Sequence, residues 1–221
     1  DQVESERLYH YDQVTRWMAH YLKGANNGIT AENVFTFAGS SLPMDSAGYF
    51  LWTRTGLDEW PPPAVQPYRF YLAEDSLLSF AAPAGPANSL FLENLHVDSG
   101  YTFDTGYIEG FRGPLFEHAL PRNVMPFESD PLPWDVEWIG TPRMELNVTS
   151  ASNTFPLHAQ MYEVDTAGRK YFVNRINYTA RNWVAGDGDV IAEGLAHAHR
   201  FSAGSRIRLE LTNIDVTNRI D

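Results

Sequence analysis

Three groupings of residues in this sequence could do chemistry, and each falls short of a complete site. A serine nucleophile in an α/β hydrolase sits on a strained G-x-S-x-G elbow between a strand and a helix. The nearest string, Ala38-Gly39-Ser40-Ser41-Leu42, lacks the second glycine and precedes no helical periodicity, so Ser40 reads as a turn residue. His197 and His199 are two apart, which on a strand puts both imidazoles on one face, as in metal-binding pairs of β proteins. No third ligand is signalled, and the plain reading is a pair of sheet-surface imidazoles. Asp187 and Asp189 in Gly186-Asp187-Gly188-Asp189 suggest calcium, but the D-x-D-x-D-G pattern is incomplete and such strings are common in turns. His10 and His20 belong to the polar side of a helix, while His96, His118 and His158 are isolated. No phosphate loop or dinucleotide fingerprint is present. The residues therefore name no catalytic group, no metal ligand set and no cofactor, and no serine is expected beside an imidazole steered by a carboxylate.

Two weaker signals concern sugars. Asn147-Val148-Thr149 and Asn177-Tyr178-Thr179 fit the glycosylation acceptor rule, although the first lies in a strand pattern. Trp52, Trp60, Trp134, Trp138 and Trp183 could supply stacking surfaces for a carbohydrate, or serve as core and interface residues.

Composition bounds the rest. The chain has 221 residues, 43% of them hydrophobic, enough for one sizeable packed domain. Its formal net charge of -12 would be repelled by phosphate backbones and anionic membrane surfaces, so neither nucleic acid nor membrane is an expected partner. The absence of cysteine removes disulfides, thiolate nucleophiles and cysteine-ligated zinc. No apolar run approaches the ~20 residues that span a bilayer. The N-terminal string Asp1-Gln2-Val3-Glu4-Ser5-Glu6-Arg7 is unlike a signal peptide and reads as the middle of a longer protein. Compartment is not indicated.

The elements that would position these residues fall into two kinds. Val14, Trp17, Met18, Tyr21 and Leu22 form one apolar helical stripe, extended a turn earlier by Tyr11. Ser5 is the expected N-cap and Gly24 the C-terminal stop, with Asn26-Asn27-Gly28 turning the chain. After residue 30 the pattern changes to short runs separated by turn residues. Strands are expected at 34–37, 68–72 and 77–80, with 39–41 closing the first. Met144, Leu146 and Val148 alternate with polar residues, as do Leu157, Ala159 and Met161, and Ile207, Leu209 and Leu211. Asp165-Thr166-Ala167-Gly168 is a hairpin turn into Tyr171-Phe172-Val173. Glu59-Trp60-Pro61-Pro62-Pro63 reads as a rigid extended connection. Residues 103–116 read as a long loop rich in apolar side chains. Many short strands without following helices indicate an antiparallel sandwich.

Several strings, in order, resemble one family. Trp17-Met18-Ala19-His20-Tyr21-Leu22-Lys23-Gly24 with Asn27-Gly28 is similar to the W-x-x-x-x-L-K-G…G segment of the X-Pro dipeptidyl-peptidase and cocaine-esterase (CocE/NonD) type of α/β serine hydrolase. The 34–39 run resembles that family's first jelly-roll strand, and Glu59-Trp60-Pro61 with Tyr68-Arg69-Phe70-Tyr71-Leu72 its W-P…Y-L element. Ser129-Asp130-Pro131-Leu132 with Gly140-Thr141-Pro142 resembles its S-x-P-L…G-x-P region, and 157–169 its hairpin. Phe201-Ser202-Ala203-Gly204-Ser205-Arg206-Ile207-Arg208-Leu209 resembles its F-x-x-G-H-R-I-R-L strand, with Ser205 in the usual histidine place. The resemblance covers about residues 7–215.

The resemblance implies an all-β jelly-roll (galactose-binding-like) sandwich over 30–221, preceded over 1–29 by the terminal helix of an α/β-hydrolase domain. The implied Ser-Asp-His triad lies upstream and falls on no residue here. The implied partner is the catalytic domain of the same parent chain, whose substrate is a small acyl ester or peptide. Phe103, Tyr107, Phe111 and Phe116 are the implied wall of its substrate pocket, or a domain interface. A carbohydrate-binding jelly roll is the alternative function. With relatives continuing past the position of Asp221, an unpaired edge and a bare helix stripe would favour a homo-oligomer.

Overall fold

The computed structural model describes residues 2–31, 35–46, 50–60, 62–85, 88–92 and 124–213. The aromatic run holding Phe103, Tyr107, Phe111 and Phe116 lies outside them, as do His96 and His118. Helix α1 spans Gln2–Lys23, so Ser5 lies inside it and does not cap it. Its end is as expected: Gly24 takes φ +66°, a left-handed conformation that costs glycine little, and its N–H bonds the His20 carbonyl at 3.0 Å. The His20 Nδ1–H, facing the Ala25 carbonyl at 3.0 Å, secures the same turn.

Twelve strands follow among the described residues: β1 Phe35–Met44, β2 Phe50–Leu57, β3 Tyr71–Leu72, β4 Leu78–Ser79, β5 Val124–Glu128, β6 Val136–Gly140, β7 Arg143–Ser150, β8 Thr154–Val164, β9 Lys170–Arg181, β10 Gly186–Glu193, β11 His197–Phe201 and β12 Arg206–Thr212. One sheet has the order β2-β1-β11-β6 and a second β5-β12-β8-β9, while β10-β7 and β3-β4 form two-stranded ribbons. β1 and β11 run parallel, with Ser40 opposite His199. The other strand pairs are antiparallel. Phe50 and Phe201 from the first sheet meet Leu157, Ala159, Ile207 and Leu211 from the second in one core, joined by Met144 and Val190 of the β7–β10 ribbon. This is an all-β sandwich preceded by one helix.

The period-two runs mark real strands, but β8 and β12 are buried on both faces. Gln160, on the face opposite Ala159, and Tyr162 are as inaccessible as Ala159. The expected turn at 39–41 is strand: β1 continues to Met44, carried through a register shift between Ser41 and Met44.

The 165–168 turn is present and over-determined by one side chain. Asp165 Oδ1 accepts the N–H groups of Ala167 and Arg169, each at 2.9 Å. Its Oδ2 accepts Arg169 Nε at 2.7 Å and the Tyr171 hydroxyl at 3.1 Å. Burial pushes the Asp165 carboxyl upward, but these donors outweigh it and hold it below the usual range. Gly168, at φ +79°, completes the turn.

The Gly-Asp-Gly-Asp string is strand β10 and not a turn. Asp187 accepts from Thr149 across the ladder, and Asp189 accepts from Asn147 Nδ2 at 3.1 Å. The glycine between them has a packing reason. A Cβ on Gly188 would stand 2.6 Å from the Trp183 ring, which lies over β10 and meets Phe155 edge-on at 5.2 Å. The indole N–H donates to the Gly186 carbonyl at 3.3 Å. Gly188→Val should therefore expel the indole and destabilise the domain by about 1–3 kcal/mol. Chemical denaturation followed by far-UV circular dichroism checks this; a variant with an unchanged midpoint would refute the packing account.

Candidate functional site

The structure assembles a group that the sequence reading did not expect. In the β1–β11 ladder, Ser40 and His199 are register partners, so their side chains share the inner face. Ser40 Oγ lies 2.7 Å from His199 Nδ1. The other ring nitrogen, Nε2, lies 2.8 Å from Glu163 Oε2 on β8, in the opposite sheet. Glu163 Oε1 accepts the Ser202 N–H at 2.8 Å. A serine, an imidazole and a carboxylate thus stand in hydrogen-bonded order. Ser40 is a strand residue, and His199 lies in the core, not on a sheet surface as expected. Phe50 and Phe201 pack edge-on against its ring at 5.0 and 4.6 Å.

The order alone does not make a nucleophilic centre. Ser40 is 8% exposed and His199 and Glu163 are fully enclosed, so an acyl carbon has no approach to Oγ. The imidazole is also reversed relative to serine hydrolases, where the serine faces Nε2 and the carboxylate faces Nδ1. β1 is flanked by β2 and β11, which directs its backbone N–H groups into ladders and away from a developing oxyanion. A cleft of about 470 Å³ is lined by Leu42, Met44, Glu163, Asp165 and Tyr171 among others, and not by Ser40 or His199. A second cleft of about 390 Å³ lies between Asp75–Ser76 and the Arg206 and Arg208 side chains.

No spacing rule could have revealed this array. Ser40 and His199 are 159 residues apart, with Glu163 between them 36 residues before the histidine, so only strand register brings them together. His-x-His was the one local cue, and it correctly placed both rings on one face. His197 Nε2 stands 3.4 Å from the same serine oxygen, with its ring 5.6 Å from that of Trp138. Among the described residues no three metal-ligating side chains converge. His158 pairs with Asn177 Oδ1 at 3.1 Å on the β8–β9 ladder. Of the tryptophans weighed for sugar stacking, Trp52, Trp138 and Trp183 are partly buried, while Trp60 and Trp134 are 38% and 69% exposed.

The helix makes the second notable surface. Its half-buried residues are Glu6, Tyr9, Gln13, Arg16, Ala19 and His20, a mostly polar side, of which Arg16 pairs with Asn27 beyond the helix end. Glu6 accepts from Arg54, and from Trp52 Nε1 at 3.1 Å, while the Arg54 guanidinium lies 3.3 Å over the Tyr9 ring. Burial raises the Glu6 carboxyl, and the Arg54 and Trp52 donors overcome this to hold it low. The apolar stripe faces outward: Tyr11, Val14, Trp17, Met18 and Tyr21 are 51–61% exposed and Leu22 76%.

His197 gives the site a pH signature. Burial, and then the charge of neighbouring His199, push it down to about 4. An imidazole depressed below its unfolded value near 6.5 binds fewer protons in the folded chain, so its stabilisation is complete above pH ~6.5 and is lost as pH falls toward 4. The loss amounts to at most about 3 kcal/mol. Urea midpoints should fall across that window in the parent sequence and stay flat there in His197→Gln; parallel curves would exclude this histidine as the cause. Loss of the Asp165 and Glu6 interactions sets in as pH falls below their ordinary values of 3.8 and 4.5, so the two curves are compared above about pH 5.

No curated protein sequence matches the chain. A CocE/NonD family hydrolase from Staphylococcus aureus superposes with TM-score 0.63 at 14% identity, over 93% of this chain and 38% of that one. An aminopeptidase from a marine sediment archaeon, Thaumarchaeota archaeon, gives 0.57 at 15% identity, over 92% and 37%. An alpha-amino acid ester hydrolase gives 0.52 at 14%, over 72% and 31%. The chain thus spans under two-fifths of each of these solved relatives, and the likeness is one of fold. Over residues 26–216 the sequence matches the family described as the X-Pro dipeptidyl-peptidase C-terminal non-catalytic domain. With most of its length covered by that match, this chain belongs to the X-Pro dipeptidyl-peptidase C-terminal non-catalytic domain family.

Proposed function

We propose that this chain is the accessory domain of a larger serine hydrolase of the CocE/NonD type, and that it supplies shape and apolar surface to a catalytic domain encoded upstream. The observation that carries this reading is the inverted helix. An amphipathic helix on a lone domain buries its apolar stripe and wets its polar side. α1 does the opposite: Glu6 and Tyr9 hold it to β2 while Tyr11, Trp17 and Tyr21 face out. Contiguous apolar surface of that kind marks a contact with another protein surface. Residues 1–29 then act as the closing helix of the catalytic domain and 30–221 as the jelly roll packed beside it.

In this reading the domain transfers no protons. The Ser-Asp-His triad and oxyanion donors belong to the upstream domain, which cleaves a small ester or peptide bond. Phe103, Tyr107, Phe111 and Phe116 would wall the acyl pocket, where flat apolar side chains select the acyl group by fit and exclude water. Of the solved relatives, the alpha-amino acid ester hydrolase supports an ester substrate and the archaeal aminopeptidase a peptide one.

Two outcomes are expected of the chain on its own. It should not turn over p-nitrophenyl esters above buffer, and phosphonate-sensitive turnover should appear only when the upstream domain is supplied. It should also self-associate through the bare stripe, with sedimentation showing a concentration-dependent dimer that Trp17→Glu abolishes. Phosphonate-sensitive hydrolysis by the chain alone would overturn the reading, and a monomer at every concentration would remove the argument from α1.

A further inference from the structure

We infer that Ser40, His199 and Glu163 form a register clasp: a triad-shaped array that fixes how β1 lies against β11 and ties the two sheets together. The need for such a device follows from topology. A hairpin sets its own register through its turn, but β1 and β11 are parallel and lie 159 residues apart through the Ser40–His199 pair, so no turn aligns them. Apolar pattern does not align them either. The middle of β1 reads Ala38-Gly39-Ser40-Ser41, small residues that would fit the core or solvent side about equally well.

Polar groups in the core break that degeneracy. A slip of one residue would turn the Ser40 hydroxyl outward and leave His199 Nδ1 facing the wrong atom inside an apolar core. An imidazole nitrogen buried without its partner forfeits its hydration and gains nothing in return. Both Glu163 oxygens are occupied, by His199 Nε2 and the Ser202 N–H. Ser40 Oγ has the Ala198 carbonyl at 3.3 Å and His197 Nε2 at 3.4 Å besides His199. The Glu163 carboxylate accepts from Nε2–H, so Nδ1 of a neutral His199 is the acceptor and the Ser40 hydroxyl donates to it. Two residues past Ser40, Leu42 begins one wall of the 470 Å³ cleft whose other walls include Glu163 and Ser202. The clasp therefore also fixes that cleft's shape.

Amide hydrogen exchange on the intact chain tests this with the mild variant Ser40→Ala. Amides of β1 and β11 should exchange at least tenfold faster, while those of the β7–β10 ribbon keep their rates. Equal acceleration everywhere, or none, would overturn the clasp. Thermal midpoints supply a second reading: Ser40→Ala and Glu163→Gln should be non-additive, the double variant melting close to the worse single one, whereas additive shifts would show that serine and carboxylate act independently. A phosphonate adduct found on Ser40 in the folded chain would also overturn it, by showing a working nucleophile.

Discussion

The hydrogen bond from His199 to Glu163 crosses from one sheet of the sandwich to the other through an apolar core, and the architecture depends on its being satisfied. A buried carboxylate without donors is among the costliest groups a core can hold. Here its two oxygens are met by an imidazole from β11 and a backbone N–H from the turn that follows. This geometry requires β11 to face β8 across the core, which is the packing of one sheet on the other. The surrounding aromatic residues, Phe50, Phe201 and Tyr171, pack around this polar chain.

A serine, an imidazole and a carboxylate in line are often taken as a signature of hydrolysis. In this domain access decides the matter, since catalysis needs an open position beside the nucleophile and donors aimed at the oxyanion. Ser40 has neither, because it lies mid-strand between two ladders. The family's non-catalytic character and the enclosed geometry agree.

Much of the fold was legible in the residues. The alternation at 144–148, 157–161 and 207–211 marked β7, β8 and β12, and Gly24 ended the helix where expected. What escaped reading did so for physical reasons. β10 carries Gly186, Asp187, Gly188 and Asp189, a composition suited to turns, and it pairs because Gly188 opens a slot for Trp183. β2 and β6 have no clean period, and β1 was cut short at Gly39 because small residues hide a strand. The array of Ser40, Glu163 and His199 was illegible because parallel pairing over long separations leaves no local trace. The helix stripe was evident, yet the sequence could not say that Glu6 and Tyr9 would turn it away from the sandwich.

That orientation links structure to role. A domain that presents aromatic rings outward on a helix latched by Arg54 offers a surface to a neighbour, and in the function proposed above that neighbour is a catalytic domain. Comparing amide exchange of α1 in this chain alone and in its full-length parent tests the account most directly. Strong added protection across 11–22 in the parent, with β12 unchanged, is the predicted result. Equal exchange of that helix in both forms would contradict it.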